Sequence, residues 1–233
     1  MVVTQLSSIP FVLILISIRL SRMAERAHPD DPFFQSGRWI RWRRGFIPWP
    51  NFTGSPYRRA FQWRYQWAND FCSGKDVVDV PCGMGWGTSM LDKSKTLLGL
   101  DVDAEAIGEA EKRYGGTAQF RVGDMAALPL GDKEADVVVC LEGIEHIPEN
   151  VAKTFVRECH RVLRNEGVLL LSSPFCSDGT HSGNPFHLKE YQPDEIKSLI
   201  GECFDIKSEV ERHVDKMTVL YLHCTRKHTP PKT

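Results

Sequence analysis

The chain is predicted to fold as a doubly wound α/β protein. Short apolar segments alternate with amphipathic helical ones between residues 57 and 224. Residues 135–141 (ADVVVCL) are nearly continuous in apolar side chains, the pattern of a central parallel strand covered on both faces. A strand at 75–80 runs into a tight turn carrying Gly83, Gly85 and Gly87, and a helix is expected to start near Thr88. Glycine allows φ > 0 and lets a ligand lie against bare main chain. A strand, such a turn and a helix N-terminus form a cradle for a nucleotide-like ligand.

The elements follow from periodicity. Residues 57–71 are helical, with Phe61, Tyr65 and Ala68 on one face and Trp63 and Trp67 on the next. Strands are expected at 75–80, 96–101, 118–123, 135–141 and 167–172, and helices at 88–92, 104–114, 151–164 and 193–201. Ile107, Ala110 and Tyr114 share a side of the second of these helices, and Val151, Phe155, Cys159 and Val162 point inward from the third. Pro193 and Gly201 punctuate the start and end of the last. Residues 204–213 and 217–224 form an antiparallel pair around Asp215 and Lys216. The sum is a Rossmann-like, mostly parallel, seven-stranded sheet with an antiparallel last strand. Residues 1–56 form an N-terminal extension, 57–226 a single domain and 227–233 a tail.

At 233 residues, one substantial core is expected. A formal net charge of −1 speaks against chain-wide affinity for nucleic acid or anionic membranes. Cys72, Cys82, Cys140, Cys159, Cys176, Cys203 and Cys224 are scattered, odd in number and without a C-x-x-C pair. That favours reduced, buried thiols and a cytoplasmic location.

The apolar run at 10–18 (PFVLILISI) is short for a membrane span. Followed by Arg19, Arg22 and Arg26, it reads as a weak membrane anchor or as the product of an over-extended gene start with Met23 as initiator. As a secretion signal it lacks a basic n-region and an A-x-A-like cleavage site. Residues 28–56 are dense in Pro, Gly, Trp and Arg, which argues against a long regular element. Trp39, Trp42 and Trp49 alternate with Arg38, Arg41, Arg43 and Arg44. This is a flap packing its aromatics on the domain, or a stacking surface for RNA.

The loop spacing selects the cofactor. A nicotinamide fingerprint, G-x-G-x-x-G, would place its third glycine where Thr88 stands. The phosphate-binding G-K-[ST] pattern is absent. DVPCGMGWGT, then GLDVD, then GDMAALPLGDKEADVVVCLEGIEHI resemble, in order and spacing, the class I S-adenosylmethionine-dependent methyltransferases over residues 57–224. The segment from GFIPWPN to GMGWGTSML further resembles a bacterial subgroup associated with glycan synthesis.

The resemblance implies roles. Asp79 would orient the loop and the cofactor's amino group, and Gly83 and Gly85 would lie under its methionyl and ribose parts. Asp101 would accept from both ribose hydroxyls. Asp124 would accept from the adenine N6 amine, with Met125 against the ring. Leu141 and Glu142 would border the sulfonium. Pro81 departs from the glycine of many relatives and removes an N–H from the loop.

Methyl transfer from a sulfonium mainly needs alignment and exclusion of water, and a hydroxyl acceptor also needs a base. His146, beside Glu145, is the first candidate because its pKa lies near neutrality. His187 in NPFHLKEY, with His181 and Tyr191 nearby, is expected to face the same pocket. No metal is assigned. The alternative ligand set, by resemblance to family members with E-x-x-E-H and a later histidine, is Glu142, Glu145, His146 and His187. The expected activity is methyl transfer to a small-molecule or glycan acceptor, on oxygen. The rivals are a non-catalytic S-adenosylmethionine-binding protein and an RNA methyltransferase.

Overall fold

The computed structural model describes residues 39–42, 45–48, 56–214 and 217–228. The apolar run at 10–18, Met23, Arg38, Arg43, Arg44, Trp49, the Asp215–Lys216 turn and most of the 227–233 tail lie outside the described residues. A hairpin pairs β1 (Trp39–Trp42) with β2 (Gly45–Pro48). Within the punctuated segment the described residues are these two short strands and the first residue of the helix that follows. Among the described residues no helix is long and apolar enough to cross a membrane.

The domain begins with α1 (Pro56–Asn69). It stops where Asn69 turns its side chain out of the helix: Nδ2 donates to Asp92 Oδ1 and Oδ1 accepts from the Lys93 N–H. Then follow β3 (Asp76–Asp79), β4 (Thr96–Asp101), α2 (Ala104–Tyr114), β5 (Gln119–Val122), β6 (Ala135–Leu141), α3 (Glu149–Val162), β7 (Leu163–Phe175), α4 (Pro193–Gly201), β8 (Phe204–Val214) and β9 (Met217–Arg226). The seven-stranded sheet has the order β5-β4-β3-β6-β7-β9-β8. The pairings among β5, β4, β3, β6 and β7 are parallel, and β9 runs antiparallel to both β7 and β8. The expected doubly wound sheet with its antiparallel last strand is thus the observed fold.

Side-chain alternation along the central strands sends a core to each face. Val138 and Cys140 of β6 join Phe155, Cys159 and Ile196 beneath α3 and α4. Val137, Val139 and Leu141 join Phe61, Tyr65, Ile107 and Tyr221 beneath α1 and α2. The unbroken apolar run of β6 is therefore the mark of a strand with two buried faces.

Helix ends follow their residues. Asp103 caps α2, its Oδ1 accepting from the Glu105 and Ala106 N–H groups. Gln192 and Glu195 close a capping box on α4, with Pro193 at its first position. One expectation is corrected: the helix at 88–92 is a single 3-10 turn, Thr88–Met90. Few residues separate Thr88 from β4, and the connection is pinned back to α1 through Asn69–Asp92 and Lys93–Asp70. Residues 163–166, split between a helix end and a loop by the periodicity, belong to a longer β7.

Candidate active site

In the sheet order, β3 and β6 are neighbours, while the chain between them travels outward through β4 and β5. A crevice therefore opens at the C-terminal ends of β3 and β6, where open α/β sheets bind ligands. The glycine loop leaves β3 at this point.

Asp79 ends β3 with its side chain fully buried. Its Oδ2 accepts from the Thr88 hydroxyl at 2.6 Å and the Tyr65 hydroxyl at 3.4 Å. Its Oδ1 is buried and meets no hydrogen-bond donor of the described chain. Burial, opposed by the Thr88 and Tyr65 hydrogen bonds and by the charge of Arg64, raises the carboxyl to about 7.

The loop is tied to the next strand. The Cys82 N–H donates to the Leu100 carbonyl at 2.8 Å, and the Gly83 N–H to Asp101 Oδ2 at 2.9 Å. Gly83 has φ +54, and no atom lies within 4 Å of where a Cβ would stand, so its α-carbon borders open space. Gly85 has φ +79, and a Cβ there would meet Ala110 and the Phe120 ring at 2.8 Å. The two glycines serve different ends: one fronts the crevice, the other lets the loop press on α2 and β5.

The Asp101 carboxylate organises its surroundings, with Oδ2 on Gly83 and Oδ1 accepting from the Asp103 N–H at 2.9 Å. Asp124 is exposed beyond β5, its Oδ1 accepting from the Ala126 N–H at 2.8 Å. Met125 beside it is buried in the core with Leu100 and Leu128. Leu141 is buried under α1 with Tyr221.

Glu142, the next residue, has φ +54, unusual for a residue with a side chain. Its N–H donates to the Ser172 carbonyl and hydroxyl oxygen. Its carboxylate takes a 2.8 Å ion pair from Arg64 of α1. The Arg64 guanidinium packs 4.3 Å over the Phe61 ring, and its Nε is buried with no hydrogen-bond partner.

Glu145 and His146 lie in a 3-10 turn, Ile144–His146. Glu145 is fully buried, and neither carboxylate oxygen has a hydrogen-bond partner. Burial, then the charge of Glu142, raises its carboxyl to about 8. The 142–147 segment is zipped to 184–190: the Glu145 carbonyl accepts from the Leu188 and Lys189 N–H groups, and His146 Nδ1 meets the Phe186 carbonyl at 3.0 Å. This brings His187 in, its ring centre 5.1 Å from that of His146. One ligand atom from each of Glu145, His146 and His187 lies within 4.8 Å of the others.

The structure thus gathers Glu145, His146 and His187 into one cluster and turns Glu142 to Arg64. His181 Nε2 contacts the His187 carbonyl at 3.1 Å. Tyr191 is buried in the core rather than set at a pocket mouth. Periodicity placed Tyr65 in an apolar stripe, with nothing in the pattern marking its hydroxyl for Asp79. Arg64 carried no signal. Glu190, which holds His187 Nδ1 at 2.6 Å, was marked only by the i, i+3 spacing of a histidine and a carboxylate.

Residues 77–167 match the model of a family described as a methyltransferase domain. The chain is 37% identical over 141 residues to a probable S-adenosylmethionine-dependent methyltransferase of Mycolicibacterium smegmatis, covering 58% of this chain and 54% of the relative. It is 33% identical over 113 residues to a ubiquinone biosynthesis O-methyltransferase of Methylococcus capsulatus, covering 46% of each. The chain thus spans about half the length of the curated relatives it matches. The fold is similar to that of magnesium protoporphyrin IX methyltransferase from Synechocystis PCC 6803, solved with bound SAH, with a TM-score of 0.61, 20% identity, and 78% of this chain and 90% of that one covered. Sheet order, glycine loop and these likenesses together make residues 77–167 a methyltransferase domain of the class I S-adenosylmethionine-dependent family.

Proposed function

We propose that the protein transfers the methyl group of S-adenosylmethionine to an oxygen of a small or sugar-containing acceptor. The observation that carries the reading is Asp79: a buried carboxylate at the strand tip, with one oxygen held by Thr88 and Tyr65 and the other lacking a donor. A buried oxygen without a partner is costly, and an ammonium group satisfies it. The opening over Gly83 and the Asp101 carboxylate behind it suit the rest of such a ligand. The buried Arg64 Nε, likewise unpartnered, is a donor suited to a carboxylate.

When bound, the cofactor would supply an activated methyl group for the acceptor's oxygen, its sulfur departing as the thioether. The chain's own residues hold the two reactants in line and exclude water. The acceptor's hydroxyl proton passes to an imidazole nitrogen of His146 or His187. The name of the O-methyltransferase relative supports oxygen as the target. The resemblance of the segment from GFIPWPN to GMGWGTSML to a subgroup associated with glycan synthesis supports a sugar-containing acceptor. The test is calorimetric titration with S-adenosylmethionine, repeated on Asp101→Ala, followed by labelled-methyl transfer to a panel of acceptors. No binding by wild type, or binding without turnover on any acceptor, rejects the reading; equal affinity in the two proteins takes Asp101 out of the ligand site.

A second reading adds a divalent cation. Glu145, buried with both oxygens unpartnered and grouped with His146 and His187, favours it. A carboxylate with two imidazoles suits Mg, Mn or Zn, and the ion would polarise the acceptor's hydroxyl. Unchanged turnover after exhaustive chelation rejects this reading and leaves the first intact.

A further inference from the structure

The loop between β7 and α4 fixes more than the position of His187. The Glu190 carboxylate is 2% exposed and the His187 ring 4%. Glu190 Oε1 stands 2.6 Å from His187 Nδ1 and also accepts from the Ser182 hydroxyl. Glu190 Oε2 accepts from the Ser182 N–H at 2.8 Å. With Oε2 taken by the Ser182 N–H, Oε1 faces the Ser182 hydroxyl and the ring, and a carboxylate oxygen there accepts from a protonated Nδ1.

The other ring nitrogen leads to the same assignment independently. Asn184 Oδ1 faces the Phe186 N–H at 3.0 Å. An N–H only donates, so that amide atom is oxygen and its sister is the NH2 group. The NH2 lies 3.0 Å from His187 Nε2. A protonated Nε2 would set donor against donor. The ring is therefore neutral, with its proton on Nδ1 and a lone pair on Nε2.

We propose that Glu190 is a positioning residue that locks His187 in the tautomer whose Nε2 accepts a proton or a ligand. Carboxylates behind histidines play this part in metal sites and in hydrolytic triads. Asn184 holds the Nε2 side as a donor that an acceptor's hydroxyl can replace. The proposal rests on the methyltransferase reading for its purpose, but not for its geometry.

The test uses the full chain labelled with 15N at histidine, with long-range 1H–15N correlations to read which nitrogen bears the proton. The His187 signals are assigned by their loss in His187→Asn. The expected wild-type pattern is a protonated Nδ1 and a bare Nε2. In Glu190→Gln one amide position must be NH2, so the pattern shifts toward a protonated Nε2. In Ser182→Ala the loop loses the hydroxyl's bonds to Glu190 and to the Asn184 N–H while the carboxylate stays on Nδ1, so the pattern keeps the wild-type form. A role limited to stapling the loop predicts the reverse ranking of these two variants.

A wild-type proton on Nε2, or a Glu190→Gln spectrum like wild type, overturns the proposal. If Glu190→Gln does not fold, the wild-type and Ser182→Ala spectra still decide it. Glu190→Gln is further expected to bind S-adenosylmethionine as wild type does and to lose turnover about 10- to 100-fold. Absence of both cofactor binding and turnover in wild type rejects the methyltransferase reading without touching the tautomer.

Discussion

Arg64 of α1 and Glu142 at the tip of β6 form a largely buried ion pair, Nη1 to Oε2, 2.8 Å long. The contact pins the first helix of the domain over the crevice. Trp63 and Trp67 reinforce it edge-on against the Tyr221 ring at 5.0 and 5.5 Å. Neither partner is spare. Glu142 sits at positive φ, and the charge of Arg64 acts on Asp79 and Glu145 as well as on Glu142.

Removing one partner leaves the other charged and buried. Arg64→Leu is expected to cost about 3–5 kcal/mol of stability, read as a fall in melting temperature or denaturation midpoint. The double variant Arg64→Leu/Glu142→Leu should recover most of that loss while cofactor affinity stays weakened. A double variant as unstable as the single one would place the role of Arg64 elsewhere.

The loop glycines should separate by phenotype. At Gly83 a methyl group enters open space, so Gly83→Ala is expected to cost only the left-handed backbone penalty, about 1–2 kcal/mol. Its main effect should be weaker cofactor binding. At Gly87 a Cβ would fall 2.0 Å from the Tyr65 ring. Gly87→Ala must displace Tyr65 from Asp79 and is expected to lose about 1–3 kcal/mol through overpacking. Thermal melts beside calorimetry distinguish the two. Equal destabilisation at both positions would mean that the space over Gly83 is not kept clear for a ligand.

Asp79 gives a pH signature. Its folded-state value of about 7 lies above the ordinary 3.8, so between those values the folded chain keeps a proton that the unfolded chain releases. The stabilisation is full below about pH 4 and is lost as pH rises through about 7. Asp79→Asn should remove that slope and be more stable than wild type near pH 8, relative to their difference near pH 4. A cationic ligand favours the ionised carboxylate, so wild-type affinity for S-adenosylmethionine should rise with pH through this range. Flat affinity from about pH 6 to about pH 8 would separate Asp79 from the ligand.

Much of this architecture was legible because its determinants are local. The β6 run ADVVVCL needs no partner to read as doubly covered. The glycine loop and Asp101 carried the site because a backbone turn and a strand-end acid sit at fixed spacing. What stayed hidden depends on contacts across the fold. Tyr65 reads as core, and only folding brings its hydroxyl to Asp79, 14 positions away. Glu142 reads as a partner of Glu145 and His146, yet Arg64 claims it. The Thr88 helix signal was outweighed by the tie between Asn69 and Asp92, which a local window does not contain.

Asp101 tests how the loop is held. Both of its oxygens accept backbone N–H groups, Oδ2 from Gly83 and Oδ1 from Asp103. Asparagine has the same shape but only one carbonyl oxygen, so Asp101→Asn sets an NH2 against one of those donors. Whichever way the amide turns, either the loop or the start of α2 loses its tie. The expected stability cost is about 1–3 kcal/mol, that of an unsatisfied backbone donor. If Asp101 also accepts from the ribose hydroxyls, as the proposed function has it, the affinity cost should exceed it, because those hydroxyls would lose a charged acceptor as well. Calorimetry on Asp101→Asn should therefore show S-adenosylmethionine binding weakened at least about tenfold, a difference of about 1.4 kcal/mol. Lost stability with unchanged affinity would make Asp101 a brace for the loop and take it out of the ligand site.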